Sequence, residues 1–380
     1  MKTHPPAPIG WIDLLRTVAC LLVVFAHCCD PFVAQFDADR ASFLTGVFAG
    51  SLVRACVPLF VMMTGVLLLP IPGQTRLGAF YRKRLGRLIR PLLFWSVALP
   101  LVAFLYVGLA APATQNPLID PALYTAATFA RRALTFLFNF NFDSTPLWYL
   151  YMLAGLYLVM PILNAWLVRA SRREIETLLR IWGLSLLLPY VQMAAPMLGY
   201  EGNFGHQGLL GVCDWNPYGT LYYLSGFVGY LVLAYYLTKY PPAWSARRAA
   251  AAGIPMFVAG YLVTSLGYVF MQSRFPGNYA YLEIVWYFSG INVFMMTLPL
   301  FVWFSRMRIE SRQWLRRLAA ASFGIYLCHY PFVYMAYDLF DRASWPYLVR
   351  IAAMTAATFA GCYLLVRAMQ RWRVTERFVR

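Results

Sequence analysis

The stretch Trp11-Ile-Asp-Leu-Leu-Arg16-Thr-Val-Ala-Cys-Leu-Leu-Val-Val-Phe-Ala-His27-Cys-Cys-Asp30 decides how this chain folds. It has the length of a bilayer-crossing helix, which needs about 20 apolar residues. Yet it carries Arg16 and His27 inside the apolar run. Ionisable side chains at membrane depth are costly, so they are kept for a task or paired inside a bundle. At 1.5 Å per residue the two lie about 16 Å apart along the helix axis. With the amino terminus inside, Arg16 sits near the cytosolic end and His27 towards the outer half. Asp30 follows His27 at i+3, on the same helix face. A carboxylate there fixes the imidazole tautomer and makes it a better base. Asp13 stands at i−3 to Arg16, where simple charge compensation is the plain reading.

The rest of the chain extends the membrane reading. Of its 380 residues, 61% are hydrophobic and only 12% charged. Soluble domains are about half apolar and about a quarter charged. Lipid leaves backbone groups no outside partner, so runs of this kind must be helices. The expected fold is all-α and polytopic, a single domain over 1–380. Ten spans are expected at about 11–31, 43–69, 88–110, 147–168, 177–198, 217–238, 249–270, 284–305, 318–339 and 347–367. No cleavable signal peptide is expected, because the first run lacks a small-residue cleavage site.

Residues 121–141 are apolar enough to suggest another span, but Arg131 and Arg132 sit at their centre. Basic residues favour cytoplasmic segments. If 121–141 does not cross, most of the 32 Lys and Arg fall on the inside, with both termini. That segment is therefore expected to be interfacial or re-entrant. The formal charge of +17 needs no nucleic acid to explain it; topology and anionic lipid account for a basic inner face. Some of those residues would also suit an anionic cytosolic ligand. The seven cysteines show neither zinc nor redox spacing, and no metal site is expected.

Three further groups of polar residues are not explained by composition. Tyr81-Arg-Lys-Arg84-Leu-Gly-Arg87-Leu-Ile-Arg90-Pro91 opens the third span from the cytosolic side. Such arginines can snorkel to headgroups, but guanidinium forks also bind phosphate bidentately. Ser322, Tyr326 and His329 follow i, i+4, i+7, one polar stripe on an apolar helix. Arg54 is a further buried cation, before Val57-Pro58-Leu59-Phe60. Together they suggest a basic cytosolic mouth for a phosphorylated donor and a histidine deep in the bundle for group transfer. Coenzyme A has the matching shape, a phosphate-rich head on a narrow arm ending in a thioester.

In order along the chain, these residues resemble acyltransferase family 3, the integral-membrane acyltransferases. The carrying motifs are Arg16…His27 preceded by Asp13, then Arg54-Ala-Cys-Val-Pro-Leu-Phe-Val-Met-Met-Thr64-Gly65, then Arg84-x-x-Arg87…Pro91. They continue with Pro146-Leu-Trp148-Tyr149-Leu…Tyr157…Pro161 and Ser322-Phe-Gly-Ile-Tyr326-Leu-Cys-His329. The resemblance implies a ten-helix protein of the bacterial inner membrane. It implies transfer of an acyl group, usually acetyl, from cytosolic acetyl-CoA to an extracytoplasmic polysaccharide. Exopolysaccharide, cellulose and a surface antigen are all open as acceptors. The compact standalone type is the nearer match, because no soluble esterase-like domain follows.

The resemblance casts His27 as base or transient acyl acceptor, and Arg16, Arg84 and Arg87 as coenzyme A contacts. Arg90 and His329 are grouped with the donor site. Asp30 orients His27, and Tyr326, Ser322 or Arg54 could supply an oxyanion donor. Arg54, Trp148, Tyr149, Glu201, Asp214 and Trp215 are the candidate acceptor contacts, with the interfacial aromatic belt as the alternative for the aromatics. Direct transfer and an acyl-histidine relay are both open. The competing function is a transporter or flippase for a sugar or lipid-linked glycan, which polar residues inside ten helices would also serve.

Overall fold

The computed structural model of the chain describes residues 10–73, 75–135, 142–200, 208–213 and 216–380. Its helices in order are α1 (Gly10–Val33), α2 (Arg40–Leu52), α3 (Cys56–Leu68), α4 (Leu77–Leu105), α5 (Ala126–Leu134), α6 (Trp148–Leu167), α7 (Arg172–Ser185) and α8 (Leu188–Met197). They continue with α9 (Val228–Lys239), α10 (Ala246–Arg274), α11 (Tyr279–Trp286), α12 (Ile291–Ser305), α13 (Gln313–Phe340), α14 (Tyr347–Met369) and α15 (Arg373–Glu376). There is no strand among the described residues, only a bridge between Cys213 and Asn216.

Among the described residues nine helices are long and apolar enough to cross a membrane. They coincide with nine of the ten expected spans, so the chain is an all-α, multi-pass membrane protein. The tenth expectation, 217–238, is interrupted. A 3-10 turn at Gly219–Leu224 leads to Gly226 at φ +73°, and only then to the 12-residue α9. Twelve residues rise about 18 Å, short of the roughly 30 Å hydrocarbon core. The irregular stretch is partly exposed, with Tyr223 88% open, and precedes a helix buried from Gly229 to Tyr235. Residues 121–135 form a 3-10 turn at Pro121–Leu123 and the nine-residue α5, capped by Thr125 and without a buried residue. At about 14 Å, α5 does not have the length to cross.

Contacts divide the chain into two compact units. The first comprises 1–53, 74–158 and 307–380. In it α13 packs on α1, α4 and α14, and α1 also packs on α2 and α14. α13 is buried along most of its length. Close approach needs small residues where no hydrophobic force separates helix from lipid. At Gly324 a Cβ would come 2.7 Å from Val366 and 2.9 Å from Val379. The chain's last residues thus fold back into this unit, with Phe378 stacked on Phe94 at 4.4 Å and Trp95 Nε1 donating to Phe378 O at 2.9 Å. Prolines loosen the helices near the candidate residues. Pro31, Pro91 and Pro331 have no N–H, so they leave the carbonyls of His27, Arg87 and Leu327 without their helical partner.

The second unit comprises 54–73 and 159–306, with α3 against α9 and α12, and α10 against α12. Its tightest joint is Gly229 of α9, where a Cβ would lie 2.0 Å from the Trp182 ring. Trp182 in turn donates to Gly226 O at 2.8 Å.

Candidate active site

The first unit gathers most of the candidate residues. On α1, His27 Nδ1 lies 2.8 Å from Asp30 Oδ2, and both side chains keep about a quarter of their surface open (22% and 26%). A carboxylate only accepts, so the shared hydrogen is on Nδ1, and Nε2 keeps its lone pair. The His27 ring packs 5.1 Å from the His329 ring and edge-on to Tyr330 at 5.4 Å. His329 is wholly buried, and its Nδ1 lies 2.7 Å from Tyr326 O in its own helix.

Below this pair are the arginines. Tyr157 on α6 is the common electrostatic neighbour of Arg16, Arg84 and Arg87. Arg16 on α1 and the Arg84–Arg87 pair on α4, far apart in sequence, are thus brought to Tyr157 on α6. Arg16 also faces Asp13 and Tyr149. Asp13 is not given over to Arg16: its carboxylate accepts from Ser311 Oγ at 2.5 Å. The buried Nε of Arg84 has no hydrogen-bond partner among the described residues. Guanidinium groups that converge with so little carboxylate among them form a ready anion site. Arg90 is exposed on α4.

The polar stripe on α13 is buried. Ser322 Oγ donates to Ala319 O at 2.8 Å, and Tyr326 Oη donates to Pro146 O at 2.8 Å. Either hydroxyl would have to leave its carbonyl before donating to a reacting oxygen. Tyr149 lies tilted against Tyr326 at 5.3 Å and meets Trp148 edge-on at 6.1 Å.

A sequence model for the family described as an acyltransferase domain matches residues 9–367. The chain belongs to acyltransferase family 3. No curated protein and no solved structure matches it. Family membership makes the chain a membrane acyltransferase.

Not all of this acyltransferase's candidate residues share one unit. Arg54 belongs to the second, sandwiched between the rings of Trp286 and Phe288 at 4.6 and 4.5 Å, with Nη2 donating to Trp286 O at 2.9 Å. Glu201, Asp214 and Trp215 lie outside the described residues.

Sequence reading missed a polar cluster beside His27. Asp143, only 1% exposed, pairs with Arg132 and accepts from Tyr124 Oη at 2.6 Å. Tyr334 Oη reaches the same carboxylate at 3.5 Å, Tyr330 bonds Thr145, and Tyr326 holds Pro146. Three tyrosines at four-residue spacing on α13 therefore grip the turn 143–146. The spacing is visible in the sequence; the partner turn is not. A second unanticipated cation, Arg350, is buried against Phe32, Tyr337 and Tyr347 and paired with Asp341 at 2.6 Å. All seven cysteines are free, and no group of three metal-ligating side chains occurs among the described residues.

Proposed function

We propose that this acyltransferase carries an acyl group, acetyl in the first instance, from cytosolic acyl-CoA to a hydroxyl of an extracytoplasmic polysaccharide. The observation that carries the reading is the His27–Asp30 pair, held above the Arg16–Arg84–Arg87 convergence in one unit. The guanidinium groups hold the donor's phosphates, with Arg90 at the mouth. The roughly 16 Å rise from Arg16 to His27 is the distance its pantetheine arm spans.

His27 Nε2 takes the proton of the acceptor hydroxyl as its oxygen attacks the thioester carbonyl carbon. Asp30 steadies the imidazolium that results. Collapse of the tetrahedral adduct breaks the C–S bond, and the departing coenzyme A thiolate takes up the proton from His27. Trp148 offers a ring to a sugar, whereas Tyr149, buried between Arg16 and Tyr326, stands with the donor residues instead of the acceptor contacts expected from sequence. Family membership favours this enzyme reading over the transporter considered from sequence.

Purified protein in nanodiscs, given labelled acetyl-CoA and the polysaccharide of its host, tests the reading. Label in the polysaccharide and free thiol in equal amounts are expected. Absence of both coenzyme A binding and thiol release would overturn it.

A further inference from the structure

One buried atom next to His27 has no use in that scheme. His329 Nε2 has no hydrogen-bond partner among the described residues, in a side chain with 0% exposure. Leaving a buried polar atom unpaired is costly, so a partner is expected when the protein works.

The chemistry of that partner follows from the ring's other nitrogen. Nδ1 lies 2.7 Å from Tyr326 O, a carbonyl that can only accept, so Nδ1 carries the hydrogen. Nε2 is therefore a bare lone pair that calls for an N–H or O–H. His27 cannot provide it, although its ring is 5.1 Å away. Its own hydrogen is committed to Asp30, and its Nε2 is likewise a lone pair. The other two members of the stripe have the same polarity. Ser322 gives its hydrogen to Ala319 O and Tyr326 gives its own to Pro146 O. What His329 can still offer is acceptor capacity.

We propose that His329 Nε2 accepts a hydrogen bond from a secondary-amide N–H of the donor's pantetheine arm. This rests on the acyl-CoA reading above and gives His329, grouped with the donor site from sequence, one atom and one partner in it. The arm carries two such amides, and the first follows the sulfur after two carbons. With the thioester at His27, that amide falls beside His329, and the rest of the arm runs down the stripe towards the arginines. Because Nδ1 faces its own helix backbone, Nε2 on the opposite edge faces away from α13. Away from water an amide N–H without an acceptor binds poorly, so the lone pair selects an amide-bearing arm.

The test uses the full chain in nanodiscs and two probes. Coenzyme A has the arm; adenosine 3′,5′-bisphosphate has phosphates and no arm. His329→Phe keeps a ring and removes the acceptor, and should raise the Kd for coenzyme A about tenfold while leaving that of the bisphosphate unchanged. His329→Gln, whose side-chain oxygen can accept, should restore most of the coenzyme A affinity. Equal loss for both probes would mean repacking and would overturn the proposal, as would no loss for either. A raised KM for a cello-oligosaccharide acceptor with unchanged coenzyme A affinity would assign the lone pair to an acceptor hydroxyl instead, again overturning it. Failure of the wild-type protein to bind coenzyme A, while it still binds the bisphosphate, would tell against the arm. Failure to bind either probe would reject the acyl-CoA reading itself.

Discussion

The imidazoles of His27 and His329 lie 5.1 Å apart, one on α1 and one on α13, each with its Nδ1 already engaged. They are not equivalent. His27 is tied to a carboxylate and partly open, so it can take a proton and hold it. His329 is tied to a backbone carbonyl and closed off, so it has a lone pair but no counter-charge.

The His27–Asp30 pair makes the first prediction. His27→Gln should lower acetyl transfer by about a thousandfold or more, and Asp30→Asn by about a hundredfold, as expected for a general base and its orienting carboxylate. Both variants should still bind coenzyme A, measured by its effect on thermal unfolding. Near-normal transfer by His27→Gln would remove the histidine from the reaction.

The arginine convergence makes the second. Arg16→Ala and Arg84→Ala should each raise the Kd for coenzyme A about tenfold, since each removes charge-assisted hydrogen bonds to phosphate. The loss should shrink at high salt. Calorimetric titration at two salt concentrations reads both effects, and an unchanged Kd would return these residues to the lipid headgroups.

The Arg132–Asp143 pair predicts a stability effect. Asp143 is almost wholly buried, so removing either partner leaves an uncompensated charge or an unpaired acceptor. Arg132→Met or Asp143→Leu should each destabilise by about 3 kcal/mol, whereas the double variant Arg132→Met/Asp143→Leu should lose less than either alone. Thermal melts of the four proteins decide it. Additive losses would show that the two charges do not act as a pair.

Gly229 predicts another. A methyl group there would lie 2.0 Å from the Trp182 ring, a ring also fixed by its bond to Gly226 O. Gly229→Ala should cost about 2 kcal/mol or more by overpacking, and Trp182→Leu should relieve part of that cost. An unchanged melting temperature for Gly229→Ala would show that the ring moves freely.

Asp39 sets a pH dependence. The backbone N–H of Ser42 and the hydroxyl of Tyr347 hold its carboxyl below the ordinary carboxylate range as it caps α2. A lowered pKa in the folded chain means stability that is present above the ordinary carboxylate pKa and lost as pH falls through the folded value. Melting temperature should therefore drop on the acid side, and Asp39→Asn should flatten part of that drop. An identical acid limb in both proteins would discount the cap as its source.

Part of the site is legible in the sequence. The approach of Asp30 to His27 follows from a three-residue offset on one helix, and helix geometry is local. The stripe Ser322–Tyr326–His329 is legible for the same reason. Tyr157 is different: it stands in a quoted motif, but nothing in the spacing shows that α1 and α4 both bring arginines to it. Likewise Ser322 and Tyr326 are candidate oxyanion donors by residue type, and only their carbonyl partners reveal where the hydrogens are committed.

By itself, the sequence determined the material of the fold: apolar runs long enough to cross a bilayer must be helices, because lipid satisfies no backbone group. It also determined the helix-face neighbours and the family motifs. Tertiary structure alone decided which helices meet. It broke the tenth expected span at Gly226, placed Arg54 in the second unit, joined Asp143 to Arg132, and set His329 beside His27 with one nitrogen unpaired. The physical reason is range. Periodicity encodes contacts three and four residues apart, whereas a hydrogen bond between α13 and the 143–146 turn depends on packing across some 180 residues of chain.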